Sequence, residues 1–248
     1  YCRVLMLAFF SLCICIFGCD VSLFSLFVIF FTDTWTTDIY TRKIVGSVRV
    51  YKRQILGATS TIIKNRIALG YTISAGLIGG AFLGYLNSAQ QIFQEQYALG
   101  DLFPLVFSGI ALSLGLASFT NSQLVMRFGM RFLVNWSLRI IVLLAMIAIG
   151  IGLLTDGQPP LVVFIAYLAL SFFAVGILFG NQNTLAMEPL GHLAGIGAAV
   201  VGSLSTLIQM PLGTVIGQNY NGTVFPLVIG IVVLAVLSIV VIGWAESN

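Results

Sequence analysis

Charge is what this chain has least of. Its 248 residues carry 11 Lys or Arg, 8 Asp or Glu and a single histidine, so that 8% are charged, against about 25% in soluble domains. Too few charges remain to cover a solvated surface. One histidine leaves little for a metal centre, and the sequence offers neither a Gly-x-Ser-x-Gly elbow nor an acid pair within its later apolar runs, the groups that an enzyme embedded in a membrane would need. Cysteine is confined to Cys2, Cys13, Cys15 and Cys19, so no disulfide can tie the first segment to the rest. Cys13 and Cys15 do not share a helix face, and they read as small apolar residues rather than as metal ligands. Nothing calls for a cofactor, a metal or a nucleic acid.

What the chain has instead is apolar length. Hydrophobic residues make up 59% of it and the mean hydropathy is +1.06. Runs of about 20 apolar residues cross roughly 30 Å of hydrocarbon as helices, and six or seven such runs fit here. The expected fold is an all-α membrane protein, a single helical bundle. The chain opens at Tyr1 rather than Met and enters an apolar run at once, which reads as a piece of a longer protein.

Three regions follow. Residues 1–31 are an apolar segment, with Val4 to Phe31 as a candidate span; it is too long for a signal-peptide core. Asp20 interrupts it, and a carboxylate at membrane depth is a functional-site hypothesis by default. Residues 32–66 form a basic linker with Arg42, Lys43, Arg49, Lys52, Arg53, Lys64 and Arg66, which places it in the cytoplasm by the excess of basic residues in cytoplasmic loops. Residues 67–248 hold six spans: Ile67–Gln94, Leu102–Val125, Phe132–Leu154, Leu161–Met187, Leu193–Gly217 and Val224–Trp244. The turns at Glu95–Asp101, Thr155–Pro160 and Gln218–Thr223 then lie outside and contain no Lys or Arg. Arg127 and Arg131 fall at an inside turn, and Arg139, within its span, can snorkel toward the near interface. Trp136 and Trp244 fit interfacial anchors. Asn221-Gly222-Thr223 matches a short glycosylation sequon, which carries little weight.

Gly76, Gly80 and Gly84 recur every four residues, as do Gly176 with Gly180 and Gly213 with Gly217, a spacing that lets helix backbones approach closely. Polar residues cluster at the outer end of the first of the six spans: Asn87, Gln90, Gln91, Gln94 and Glu95. Asn87, Gln91 and Gln94 share a face at helical spacing, and such an arc should line a cavity or meet polar groups rather than lipid. Asn121, Gln123, Asn181, Asn183 and Gln209 are further cavity candidates, each equally able to bond between helices. Glu188 and His192 would share a face if the segment were helical, and could then form a proton relay. Pro189 and Gly191 favour a turn, with proline in the first turn of the next helix and the acid complementing that helix's dipole.

Six spans behind a basic linker, with Arg127-Phe-Gly129-Met-Arg131 at an inside turn, resemble the C-terminal half of a major facilitator superfamily (MFS) transporter. Met126 stands where the superfamily's loop motif has an acid. Tyr85-Leu-Asn87-Ser88-Ala-Gln-Gln91-Ile-Phe-Gln and Ala186-Met-Glu188-Pro189-Leu-Gly191-His192-Leu-Ala-Gly195 resemble the bicyclomycin and chloramphenicol resistance (Bcr/CflA) branch of drug:proton antiporters. The resemblance covers roughly Lys64 to Trp244, with residues 1–31 fitting the last helix of an N-terminal half by position. It implies two six-helix halves around a cavity, alternating access, and export of small amphipathic drugs against protons across a bacterial inner membrane, with the N-terminal half as a missing partner. The competing function is a non-transporting scaffold or a pseudo-half that dimerises through its glycine faces; an embedded enzyme ranks last.

Overall fold

The computed structural model describes residue 57 and residues 59–189 and 194–247. The apolar segment with Asp20 and the four cysteines, the linker up to residue 56, and Gly191 and His192 lie outside the described residues. Six long helices carry the described chain: α1 (Arg66–Gln90), α2 (Phe103–Phe128), α3 (Met130–Leu154), α4 (Leu161–Met187), α5 (Ala194–Gln218) and α6 (Phe225–Glu246). All six are long and apolar enough to cross a membrane, and the chain is an all-α, multi-pass integral membrane protein. With no water at membrane depth, helices satisfy every backbone group internally.

Local chemistry sets the ends within a few residues of the expected ones. α1 begins after Asn65, whose side-chain oxygen accepts hydrogen bonds from the backbone N–H groups of Ile67 (3.0 Å) and Ala68 (3.1 Å), satisfying donors that have no partner within the helix. α2 and α3 are separated by Gly129 alone, at φ 82°, a backbone conformation that glycine adopts without penalty. This one-residue link is why α3 starts at Met130 and includes Arg131, earlier than the expected Phe132. At its outer end α1 runs into a π-helical turn, Gln91–Gln96; the extra residue in that turn re-aims the side chains beyond it.

α1 is the most buried of the spans and α4 the next; α2 is the least buried. α1 packs chiefly on α5 and α6 and also on α4, α4 packs on α2 and α3, and α3 meets α6. Exchanging α1 with α4, α2 with α5 and α3 with α6 maps this set of contacts onto itself. The glycines show the same correspondence in detail. A Cβ on Gly76 would lie 2.8 Å from Ile208 Cβ, and one on Gly80 2.9 Å from Leu212 Cβ. Across the α4–α2 seam, a Cβ on Gly176 would lie 2.6 Å from Ala117 Cβ, with Asn121 next to Gly180 at 3.6 Å. Each seam pairs glycines four apart with partners four apart, the pattern expected of two three-helix repeats.

The α1–α5 seam is closed from both sides. Gly84 faces Ile216, while Gly213 and Gly217 on α5 receive the Cβ atoms of Leu83 and Asn87. Overpacking such a contact costs about 1–3 kcal/mol. Gly76→Leu is therefore expected to lower the thermal stability of the detergent-solubilised protein by that order, whereas Gly109→Leu, at a glycine with open space around it, should leave it nearly unchanged. Equal effects at both sites would contradict the seam.

Candidate functional site

The polar residues sort into an open outer end, two buried interhelical groups and a charged inner end. α1 is sealed over most of its length and opens at its outer end, where Leu86, Asn87, Gln90 and Gln94 are exposed. Asn87 also donates through Nδ2 to the Gly213 carbonyl at 3.2 Å, which holds its amide at the α1–α5 seam. Gln91, expected on the same open face as Asn87 and Gln94, is half-buried, and its amide oxygen is enclosed without a hydrogen-bond partner. The reason is packing: the backbone is still α-helical from Asn87 to Gln91, and the Tyr220 hydroxyl donates to the Gln91 backbone carbonyl, so neighbouring groups cover this residue while Asn87 and Gln94 stay open.

The outer rim is tied together at one glycine. Gly157, at φ 81°, offers its carbonyl to Gln96 Nε2 (3.0 Å) and to the Val224 backbone N–H (3.2 Å), joining all three outer turns. A Cβ there would lie 2.9 Å from Thr223 Cβ, so both the conformation and the space call for glycine. Tyr97 donates to the Pro159 carbonyl at 2.6 Å, and Tyr220 to the Gln91 carbonyl at 3.5 Å. Burial pushes the Tyr97 hydroxyl up to about 12; burial, then the charge of Glu95, raises that of Tyr220. The stabilisation tied to these shifts is fully present below the ordinary tyrosine value and is lost only as pH rises through the raised one. The rim is thus held throughout the physiological range. Its exposed charges are the acids Glu95, Asp101 and Asp156.

Asn181 is not at an open cavity. It is 2% exposed, donating to Asn121 Oδ1 at 2.8 Å and to the Ile177 carbonyl at 2.9 Å. An unpaired amide at that depth would be costly, and α2 supplies the partner. Gln209 is half-buried, its amide oxygen occupying the place where a side chain on Gly79 would go. Asn183 and Gln123 are exposed.

Gln182, between the two asparagines singled out from sequence, is the residue that sequence reasoning missed. It is fully buried and donates through Nε2 to Ser74 Oγ at 2.7 Å; Ser74 in turn bonds Ser238 Oγ. One side chain from each of α4, α1 and α6 thus meets at the centre of the bundle. Its signal was the helical phase of Gln182 among apolar residues of α4, which one sequence cannot separate from that of its neighbours. The Gln182 amide oxygen and the Tyr85 hydroxyl are also buried without a partner among the described residues.

At the inner end, Arg131 meets Glu188 at 3.6 Å with both side chains more than half exposed. The two stretches that sequence reading singled out, the Arg127–Arg131 turn and the Glu188 segment, are therefore neighbours. Glu188 ends α4 rather than beginning the next helix, and its carboxylate complements Arg131. Tyr71 donates to Glu246 at 2.5 Å. Arg66 caps the far end of α6, donating to the Trp244 carbonyl at 2.9 Å and lying 4.8 Å from its ring centre. No group of three or more His, Cys, Asp or Glu comes together among the described residues.

The chain is 31% identical over 160 residues to an uncharacterized MFS-type transporter, YdgK, of Bacillus subtilis, a match covering 64% of this chain and 39% of that protein. It is 23% identical over 189 residues to a bicyclomycin resistance protein homolog of Haemophilus influenzae, covering 75% of this chain and 46% of that protein. The chain spans less than half the length of these curated relatives. No family model and no solved structure matches it.

The Asn121–Asn181 pair can be measured directly. Interhelical hydrogen bonds in membranes contribute about 0.6 kcal/mol on average and about 1.7 at most. A double-mutant cycle with Asn121→Ala and Asn181→Ala, read by unfolding in mixed micelles, is expected to return a coupling in that range. Strict additivity would contradict the pair.

Proposed function

We propose that this chain is the C-terminal half of a major facilitator superfamily transporter of the Bcr/CflA type, exporting small amphipathic drugs in exchange for protons by alternating access. The single observation that carries the reading is the open outer end of α1. A helix otherwise sealed by its neighbours exposes Asn87, Gln90 and Gln94 at a π-helical turn, an element found at functional sites. Uncharged amides of this kind orient a ligand whose binding rests mainly on apolar contact. The names of the two relatives point the same way, as does the repeat-like pairing of the six helices, the internal symmetry found in such transporters.

Two further parts belong to this reading. The N-terminal half would seat on the exposed apolar faces of α2 (Leu105, Leu112, Leu116, Phe119) and α5 (Leu207, Met210, Val215). The competing reading, a pseudo-half that dimerises through its glycine faces, loses that surface, because those glycines are covered within the chain at the α1–α5 and α4–α2 seams; a second copy would have to use the same apolar faces as the N-terminal half. Proton coupling falls to groups beyond the described residues: Asp20, His192 and acids of the N-terminal half. Glu188, exposed and paired with Arg131, serves as an ionic clasp between the α2–α3 and α4–α5 turns. A bacterial inner membrane is the setting in which an inward proton gradient drives such export.

Expression of the complete reading frame is expected to lower chloramphenicol accumulation in energised cells several-fold, with the effect abolished by a protonophore. Unchanged accumulation would contradict the transporter reading. In that protein Asn87→Leu should alter the relative resistance to different drugs while membrane abundance stays constant; a parallel loss of abundance would assign Asn87 to folding alone.

A further inference from the structure

A groove of about 540 Å³ lies on the lipid-facing surface between α3 and α6, lined by Arg139, Val142, Leu143, Met146, Ile147 and Ile239. Five of the six lining residues are apolar, as a membrane-facing surface requires. Arg139 is the exception. It is exposed, and at 1.5 Å per residue it stands roughly 13 Å along α3 from Met130, farther from a helix end than any other charged residue of the six described helices. Among the described residues no carboxylate lies within ion-pair distance of it; the ion pair found there is Arg131–Glu188. A guanidinium at this depth is tolerated when its long stem carries it toward the interface or when an anion meets it.

The groove supplies the rest of a ligand's outline. Leu143 follows Arg139 by four residues, and Met146 and Ile147 follow Leu143 by three and four, so the four form a single stripe, running from the guanidinium toward the middle of the membrane for roughly 12 Å. Leu143, Met146 and Ile147 are each more than half exposed. Ile239 closes the other side from α6, roughly 10 Å from the end of that helix at Glu246, close to the depth of Arg139. One turn nearer the interface, Trp136 is 48% exposed, at the level where indoles meet headgroups.

We propose that this groove is a binding site for an anionic phospholipid of the leaflet at the Met130 end, its phosphate held by Arg139 and one acyl chain lying along Leu143, Met146 and Ile147. A zwitterionic lipid places a cation beside its phosphate and loses much of the attraction, so the site discriminates by headgroup. Arginine suits the task because its planar fork meets phosphate with two parallel hydrogen bonds.

The test is native mass spectrometry of the full chain released from nanodiscs holding equal amounts of phosphatidylglycerol and phosphatidylcholine. Phosphatidylglycerol adducts are expected to exceed phosphatidylcholine adducts several-fold. Arg139→Gln should bring the two to parity, Arg139→Lys should keep a preference, and Met146→Trp, which fills the groove, should reduce phosphatidylglycerol retention with the arginine intact. Arg127→Gln, at the membrane surface, should leave the preference in place, and all variants are compared at equal monodispersity. Equal retention of both lipids by the unaltered chain, or an undiminished preference in Arg139→Gln, would overturn the proposal. A dimer that Met146→Trp dissociates would also overturn it, giving the groove to a second copy of the chain.

Discussion

The structure depends on the close approach of α1 and α5. In lipid there is little hydrophobic gain from bringing two apolar helices together, so association rests on contact between backbones and on the few polar bonds that form across them. Gly76, Gly80 and Gly84 remove side chains from one surface of α1, and Gly213 and Gly217 do so on α5. The ridge of one helix then fills the gap left by the other. With α5 drawn against it on one side and α6 and α4 on the others, α1 becomes the interior helix, and its one exposed polar stretch lies at the outer end.

The second seam, between α4 and α2, repeats the arrangement with Gly176 and Gly180 facing Ala117 and Asn121. It is less closely packed, and an asparagine pair does there what extra glycine does in the first. The two seams converge on the buried contact of Gln182 with Ser74 and Ser238. Polar bonds at the centre and glycine contacts at the flanks divide the work: the former fix the register of three helices, and the latter set their separation. The clasp of Arg131 with Glu188 at one end and the Gly157 carbonyl at the other hold the turns, so any motion of this unit is expected to be that of a rigid body.

The six spans were legible because hydropathy over some 20 residues depends on composition and not on neighbours. Their ends shifted where single residues decide, as with the Asn65 cap and the one-residue link at Gly129. The glycine spacing was legible too, though not which helix each stripe would face. Gln91, Asn181 and Gln182 show what was not legible. Whether an amide in a membrane helix faces water, another amide or a cavity is set by helix phase and by partners far along the chain, as Tyr220 is for Gln91. Glu188 was hidden for a related reason, because Pro189 marks a boundary without saying which helix the acid belongs to.

Everything proposed for this chain rests on an outer end of α1 that opens to water while the rest of that helix is sealed. Accessibility of single cysteines at Gln90 and Gln94, introduced after replacement of Cys2, Cys13, Cys15 and Cys19, tests it most directly. With a membrane-impermeant maleimide added from the outer side, both positions are expected to label rapidly, and a cysteine at Leu143, on the lipid-facing groove, should not. Labelling at Gln90 and Gln94 as slow as at Leu143 would contradict the claim.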